Sequence, residues 1–232
     1  MIKVEHLQFQ YPDREFSLQI PELEIRAANS TAIIGPSGTG KTTLLNLMAG
    51  YLVPQEGHLQ VYGSELTQMQ ETERRAFRIE HIGLVFQEFE LIEYLSVINN
   101  ILLPFRISPS LKLNNDVRQY AESLAEEVGL RDKLHRNVKR LSQGERQRVA
   151  VCRALVTRPA VLMCDEPTGN LDPDNKHIIL DYLLNDVLQR QTTLVVVTHD
   201  HQLLPRFQSV IDFSSLIKQS NPIYQEKGGM KL

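Results

Sequence analysis

Long apolar runs are missing from this 232-residue chain. No stretch approaches the roughly 18 consecutive apolar residues of a membrane span, and the N-terminus lacks the pattern of a secretory signal. Cysteine is scarce. The two present, Cys152 and Cys164, sit inside the apolar patterns Val149-Ala150-Val151-Cys152 and Val161-Leu162-Met163-Cys164. They read as small core residues rather than as a disulfide or a catalytic thiol. Charge of one sign is also lacking: 25 basic against 28 acidic residues leave a net charge of -3, which removes the global electrostatic argument for a nucleic-acid partner. There is no internal repeat and no low-complexity tract. These absences point to a cytoplasmic protein, with any membrane attachment made through a partner. The 42% hydrophobic and 23% charged content are those of an ordinary globular chain, long enough for one sizeable domain.

What is present is organised around Gly35-Pro36-Ser37-Gly38-Thr39-Gly40-Lys41-Thr42-Thr43, a match to G-x-x-x-x-G-K-[ST]. Thr31-Ala32-Ile33-Ile34 precedes it as a short buried strand, and Thr42 to Ala49 follows as a helix that Gly50 can cap. Glycines free the backbone so that amide N–H groups converge on an anion, helped by the positive end of the helix. Lys41 adds a point charge for the β- and γ-phosphates, and Thr42 offers a hydroxyl to magnesium.

The first third otherwise reads as β-rich. Ile2/Val4 and Leu7/Phe9 alternate with a phase break near His6, while Phe16/Leu18/Ile20 and Leu23/Ile25 alternate cleanly. Pro54 and Gly57 read as a turn before a short strand at Leu59/Val61. Glu71 to Arg78 reads as a charged helix, and Ile82 to Phe86 as a strand ending at Gln87. From about residue 88 the apolar spacing stops alternating, with Pro104 and Pro109 as interruptions. Asn114 or Asn115 caps a helix that carries Val117, Tyr120, Ala121, Leu124 and Val128. This stretch, about 88–158, is expected to be a helical insertion in an α/β core.

Ser142 and Glu145, in Leu141-Ser142-Gln143-Gly144-Glu145, have capping-box spacing, so a helix starts there and runs towards Pro159. Its N-terminus is a second potential anion site. Ala160 to Asp165 has no polar alternation and suits a central parallel strand covered on both faces. Its end, Asp165-Glu166, belongs beside the phosphate loop: Asp165 as a magnesium partner, Glu166 as a group able to take a proton from water. Thr192 to Val197 is a second core strand, ending at Thr198-His199-Asp200. From about Gln219 a polar tail is expected, leaving 1–218 as a single domain.

The ordered set GPSGTGKTT, Gln87, LSQGE, VLMCDEP, Asn170-Leu171-Asp172 and His199 closely resembles the ATP-binding cassette family, from Met1 to about Phe213. The resemblance implies a phosphate-loop ATPase with a mostly parallel sheet, an N-terminal antiparallel subdomain and a helical subdomain. It implies ATP and magnesium as ligands and head-to-tail homodimers partnered by an integral membrane permease. Residue by residue, it implies Tyr11 stacking on adenine, Gln87 sensing magnesium and water, and Asp165 holding the metal. Glu166 would act as general base and His199 would contact the γ-phosphate. Ser142, Gln143 and Gly144 would meet the nucleotide of the second copy, and Asp172 would cross to it. Gln143 and Glu145 depart from the family's usual glycine and glutamine, and Ala27-Ala28-Asn29 lacks its usual glycine.

Asp165-Glu166-Pro167-Thr168-Gly169-Asn170-Leu171-Asp172, Val85-Phe86-Gln87 and Leu95 to Ile101 are similar to the lipoprotein-releasing and macrolide-exporting group (LolD- and MacB-like). Regulatory cell-division cassettes of the FtsE type share much of this pattern and are the alternative reading. A GTPase or kinase would share the phosphate loop without LSQGE, and a guanine-type N-K-x-D is absent, since Asn175-Lys176 is followed by His177-Ile178. The apolar residues after Gln87, among them Phe89, Leu91, Ile92 and Tyr94, are candidates for a permease-docking groove.

Overall fold

The structure, a computed structural model, describes residues 1–13, 16–169, 171 and 173–217, without the side chains of 173–175. The expected tail from Gln219, and Asn170 and Asp172, lie outside the described residues. Two sheets organise the remainder. β1 (Ile2–Gln10) pairs antiparallel with β2 (Ser17–Ile25), from Ile2 opposite Ile25 to Gln10 opposite Ser17. The phase break at His6 is a β-bulge. After β3 (Ser30–Ile34) and α1 (Lys41–Met48) the chain returns as β4 (Glu56–Val61), and its register against β1 slips between Glu5 and Gln8. The extra residue bends the strand and moves the apolar phase by one, so that Ile2, Val4, Leu7 and Phe9 are all buried. Gly57 therefore sits inside β4, not in a turn. It has φ +92°, and a Cβ there would lie 2.5 Å from the His6 carbonyl oxygen across the bulge. β5 (Ser64–Glu65) completes the sheet in the order β2-β1-β4-β5.

The second sheet is parallel. α2 (Glu71–His81) leads into β6 (Ile82–Val85), and the helical stretch follows: α3 (Val97–Ile101), α4 (Leu103–Ile107), α5 (Asn115–Glu127) and α6 (Gln143–Leu155). β7 (Val161–Asp165), α7 (Pro173–Arg190), β8 (Thr193–Val197) and β9 (Ser209–Asp212) close the order β6-β7-β8-β3-β9. Because side chains alternate along a strand, β7 and β8 feed two cores. Val161, Met163, Val195 and Val197 face α1 and the antiparallel sheet, while Leu162, Cys164, Leu194 and Val196 face the helices. Both cysteines are free and buried, and burial pushes both thiols up. Asn114, rather than Asn115, caps α5, accepting from the Val117 N–H at 2.9 Å. The helical stretch breaks at Leu102, just ahead of Pro104, which then sits in the first turn of α4, where its fixed φ suits a helix start. α6 stops at Leu155, ahead of Pro159, with Arg158 at φ +53° between them.

Candidate active site

All five parallel strands end on one edge, and the phosphate-loop residues, Gln87, Asp165 and Glu166 gather there around the β3 and β7 ends. Gly40 caps α1 at φ +101°, a backbone that an L side chain resists, and a Cβ there would also lie 2.5 Å from Phe16 Cζ. Lys41 Nζ donates to the Gly35 and Pro36 carbonyls, 2.8 Å each, so its charge sits over the loop. Thr39 Oγ1 donates to the Pro36 carbonyl at 2.9 Å. Thr42 Oγ1 donates to Asp165 Oδ2 at 2.7 Å, joining α1 to the end of β7. Burial raises the Asp165 carboxyl above its ordinary value and the neighbouring Glu166 charge adds to this; Thr42 and Lys41 pull the other way.

Glu166 follows β7 with φ +47°, a left-handed conformation costing about 1–2 kcal/mol outside glycine. Its N–H donates to the Val197 carbonyl at 3.0 Å, and the Thr198 N–H donates to Ile33 at 3.1 Å. The turn directs the Glu166 carboxylate towards His199. His199 Nδ1 lies 2.9 Å from Oε1, and the His199 N–H donates to Oε2 at 3.4 Å. The rest of the His199 side chain is largely exposed. Lys176 pairs with Asp200 at 2.8 Å, and that hydrogen bond holds the Asp200 carboxyl below the usual range.

One hollow is lined by Ser37, Gly38, Gly40, Lys41, Thr42, Thr43, Gln87, Asp165 and Glu166, together with Phe16 and Val197. Gln87 owes its place to the reversal behind it. Phe89 and Glu90 stand at φ +63° and +47°, and the Arg153 guanidinium donates to both their carbonyls, 2.6 Å to Phe89. Buried Asn100 then pins the outgoing chain, accepting from the Ile92 N–H at 2.8 Å and donating to the Ile92 and Ser96 carbonyls at 3.1 Å.

Other candidates lie elsewhere. Tyr11 borders a neighbouring hollow on the antiparallel sheet; its hydroxyl is 3.3 Å from Thr43 Oγ1 and its ring packs edge-on to Phe9. Phe16, read from sequence as a strand core position, is the aromatic that lines the phosphate-loop hollow. Ser142, Gln143 and Gly144 form the start of α6 and do not line it. The capping box forms as its spacing predicts: the Glu145 N–H donates to Ser142 Oγ at 3.3 Å and the Ser142 N–H to Glu145 Oε2 at 2.8 Å. A second, more apolar groove runs between β6, α4 and α6, with Ile79, Leu84, Phe86, Leu103, Pro104 and Ile107 among its walls. Phe89, Leu91, Ile92 and Tyr94 are not among the residues lining it; Leu91 packs on the core and Tyr94 is exposed.

Among the described residues, no cluster of three His, Cys, Asp or Glu is arranged to hold a metal ion, and no helix is long and apolar enough to cross a membrane. The oxygen donors in the hollow nonetheless fit magnesium. The Thr42 hydroxyl meets the Asp165 carboxylate, Gln87 lines the same hollow, and magnesium takes few protein oxygens when phosphate and water complete its shell.

A parallel sheet whose strand–loop–helix places Lys41 and Thr42 against the Asp165 strand end defines a phosphate-loop NTPase. The family profile described as ABC transporter matches residues 18–169. The chain belongs to this family, as an ATP-binding subunit of the LolD/MacB group, and it binds and hydrolyses ATP. It is 40% identical over 182 residues to the lipoprotein-releasing system ATP-binding protein LolD of Psychrobacter arcticus, covering 78% of this chain and 80% of the relative. It is 38% identical over 189 residues to the macrolide export ATP-binding/permease protein MacB of Rhodopirellula baltica, covering 82% of this chain and 28% of that protein. The ATP-binding cassette MJ0796, solved as a dimer in a post-hydrolysis state bound to ADP and Pi, superposes with a TM-score of 0.83. That pair shares 28% identity over 91% of this chain and 94% of the other.

Proposed function

We propose that two copies of this chain close head to tail around two ATP molecules, and that closure drives a membrane permease in lipoprotein release or MacB-type export. The observation that carries this reading is the Glu166 carboxylate. It lines the hollow with Lys41, Thr42 and Asp165, carried on left-handed backbone and paired with His199. Residues 1–218 act as one ATPase domain, with the helical part at about 88–158.

The loop from Gly35 to Thr43 wraps the triphosphate with its N–H groups, and Lys41 exchanges its loop carbonyls for β- and γ-phosphate oxygens. Thr42, Asp165 and Gln87 hold magnesium, which when bound neutralises phosphate charge. Glu166 accepts a proton from the attacking water, and His199, held through Nδ1, presents Nε2 to the γ-phosphate. Tyr11 and Phe16 flank the nucleoside end, Phe16 on the phosphate-loop side. Ser142, Gln143 and Gly144 serve the nucleotide of the second copy; Asp172, which the family resemblance also assigns to the contact with that copy, lies outside the described residues. This explains why the start of α6 is built as an anion-ready helix end away from the hollow.

The groove of Leu84, Phe86, Leu103 and Ile107 suits an amphipathic cytoplasmic helix of the permease. The chain then sits at the inner face of the cell membrane through that partner, with no nucleic acid involved. Glu166→Gln tests the reading. It should bind ATP normally and hydrolyse it about 10²–10⁴-fold more slowly, the usual worth of general-base catalysis. Unchanged hydrolysis would contradict the assignment.

A further inference from the structure

The start of α6 carries an electrostatic conflict. By helix geometry the Gln143 and Gly144 N–H groups have no intrahelical carbonyl, so they are what this end offers an anion. Yet Glu145, in the same turn, brings a full negative charge to the place where a phosphate is to dock. The carboxylate cannot swing away, because its Oε2 accepts from the Ser142 N–H at 2.8 Å.

The conflict is met from outside the helix. Lys133, in the tight turn Arg131–Lys133 after α5, bonds its ammonium to Glu145 Oε1, and both side chains are largely covered. The lysine is fixed by its surroundings. Its N–H donates to the Leu130 carbonyl at 2.9 Å, its carbonyl accepts from the Arg136 N–H at 2.9 Å, and Leu130 and Leu134 on either side are buried. Arg146, the nearest cation along the helix, is committed elsewhere, to the Val138 and Lys139 carbonyls at 3.2 and 3.0 Å.

We propose that Lys133 is a charge-compensating, positioning residue for the ATPase reaction: by neutralising Glu145 it keeps the Ser142–Gly144 helix end attractive to the triphosphate held by a second copy. This rests on the head-to-tail reading above. With Lys133 paired to it, the Glu145 carboxylate accepts from the Ser142 N–H, as a glutamine amide oxygen would, while leaving no net charge at the helix end. The Lys133 hydrogen bond, foremost, and the Ser142 contacts hold the Glu145 carboxyl below its ordinary range, so it is ionised and its compensation is needed at neutral pH.

The test uses the full chain in a Glu166→Gln background. The readout is the ATP concentration at half-maximal dimer formation by light scattering, at low and at high salt, with a melting curve for each variant. Lys133→Met should raise that concentration about tenfold at low salt, and the deficit should shrink in high salt, where the exposed carboxylate is screened. Lys133→Arg should match the parent, and Lys133→Met with Glu145→Gln should restore it. A Lys133→Met chain that melts lower but dimerises at unchanged ATP overturns the proposal, since the pair is then only structural. A double variant as weak as Lys133→Met also overturns it. Gly144→Asp separates the two layers: if it too dimerises at unchanged ATP, the head-to-tail reading has failed and takes this proposal with it.

Discussion

Arg153→Met is the sharpest perturbation of the site that touches no reacting group. The guanidinium holds the carbonyls of Phe89 and Glu90, which keeps two non-glycine residues in left-handed backbone two and three positions after Gln87. Burial pushes the Arg153 pKa down, and the Glu90 carboxylate pulls it back up, so the charge is held in place by what it binds. Hydrogen bonds from a charged donor contribute about 1.5–3 kcal/mol each, and each left-handed residue costs about 1–2 kcal/mol once nothing holds it. The loop recovers part of the loss by relaxing, which leaves a net destabilisation of about 2–4 kcal/mol. For a domain of this size that lowers Tm by about 5–15 °C. The relaxation moves Gln87, and misplacement by about 1 Å can cost up to 10²-fold in rate. The assay is paired: thermal melting, then single-turnover hydrolysis per folded molecule at saturating ATP. ATP affinity should stay within about twofold, because the phosphate loop is untouched, while hydrolysis falls at least about tenfold. A lower Tm with hydrolysis unchanged would refute the idea that Arg153 places Gln87.

Asp165→Asn should abolish hydrolysis yet melt higher than the parent at neutral pH in metal-free, nucleotide-free buffer. The folded-state pKa of Asp165 is raised, so the folded chain binds its proton more tightly than the unfolded one. That contribution is present below the ordinary carboxylate pKa and is lost as pH rises through the raised value, so the gap between variant and parent should close on acidification. A gap independent of pH would argue against it. Phe16→Ala should raise KM for ATP several-fold with kcat little changed, because the ring lines the hollow beside Gly40 without reaching the reacting atoms; steady-state kinetics decides, and an effect confined to kcat would move Phe16 to another role.

How much of this was legible in the sequence follows from the range of each interaction. The uninterrupted apolar run into Asp165 suits a strand covered on both faces, and β7 is one. Ser142 and Glu145 lie three residues apart, so the capping box could be read from spacing alone. The phase break at His6 already contained the bulge. What the sequence hid depends on distant chain. Gly57 and Pro104 carry ordinary turn chemistry, but a carbonyl from β1 and a helix start decide what they do. Phe16 alternates like a core residue, and only its position against Gly40, 24 residues on, makes it part of the hollow. Lys133 had no pattern at all until α5 and its turn brought it to Glu145.

The head-to-tail arrangement is tested most directly by cross-linking across it. Both native cysteines are buried with their thiols pushed up, so they leave a silent background for engineered ones. In a Glu166→Gln chain, Ser37→Cys on the phosphate loop and Gln143→Cys at the start of α6 are both at exposed positions. Head-to-tail closure predicts that the double variant forms a disulfide-linked dimer rapidly with ATP and magnesium and slowly without, while neither single variant does. A double variant whose cross-linking is indifferent to ATP, or single variants that link as readily, would contradict it.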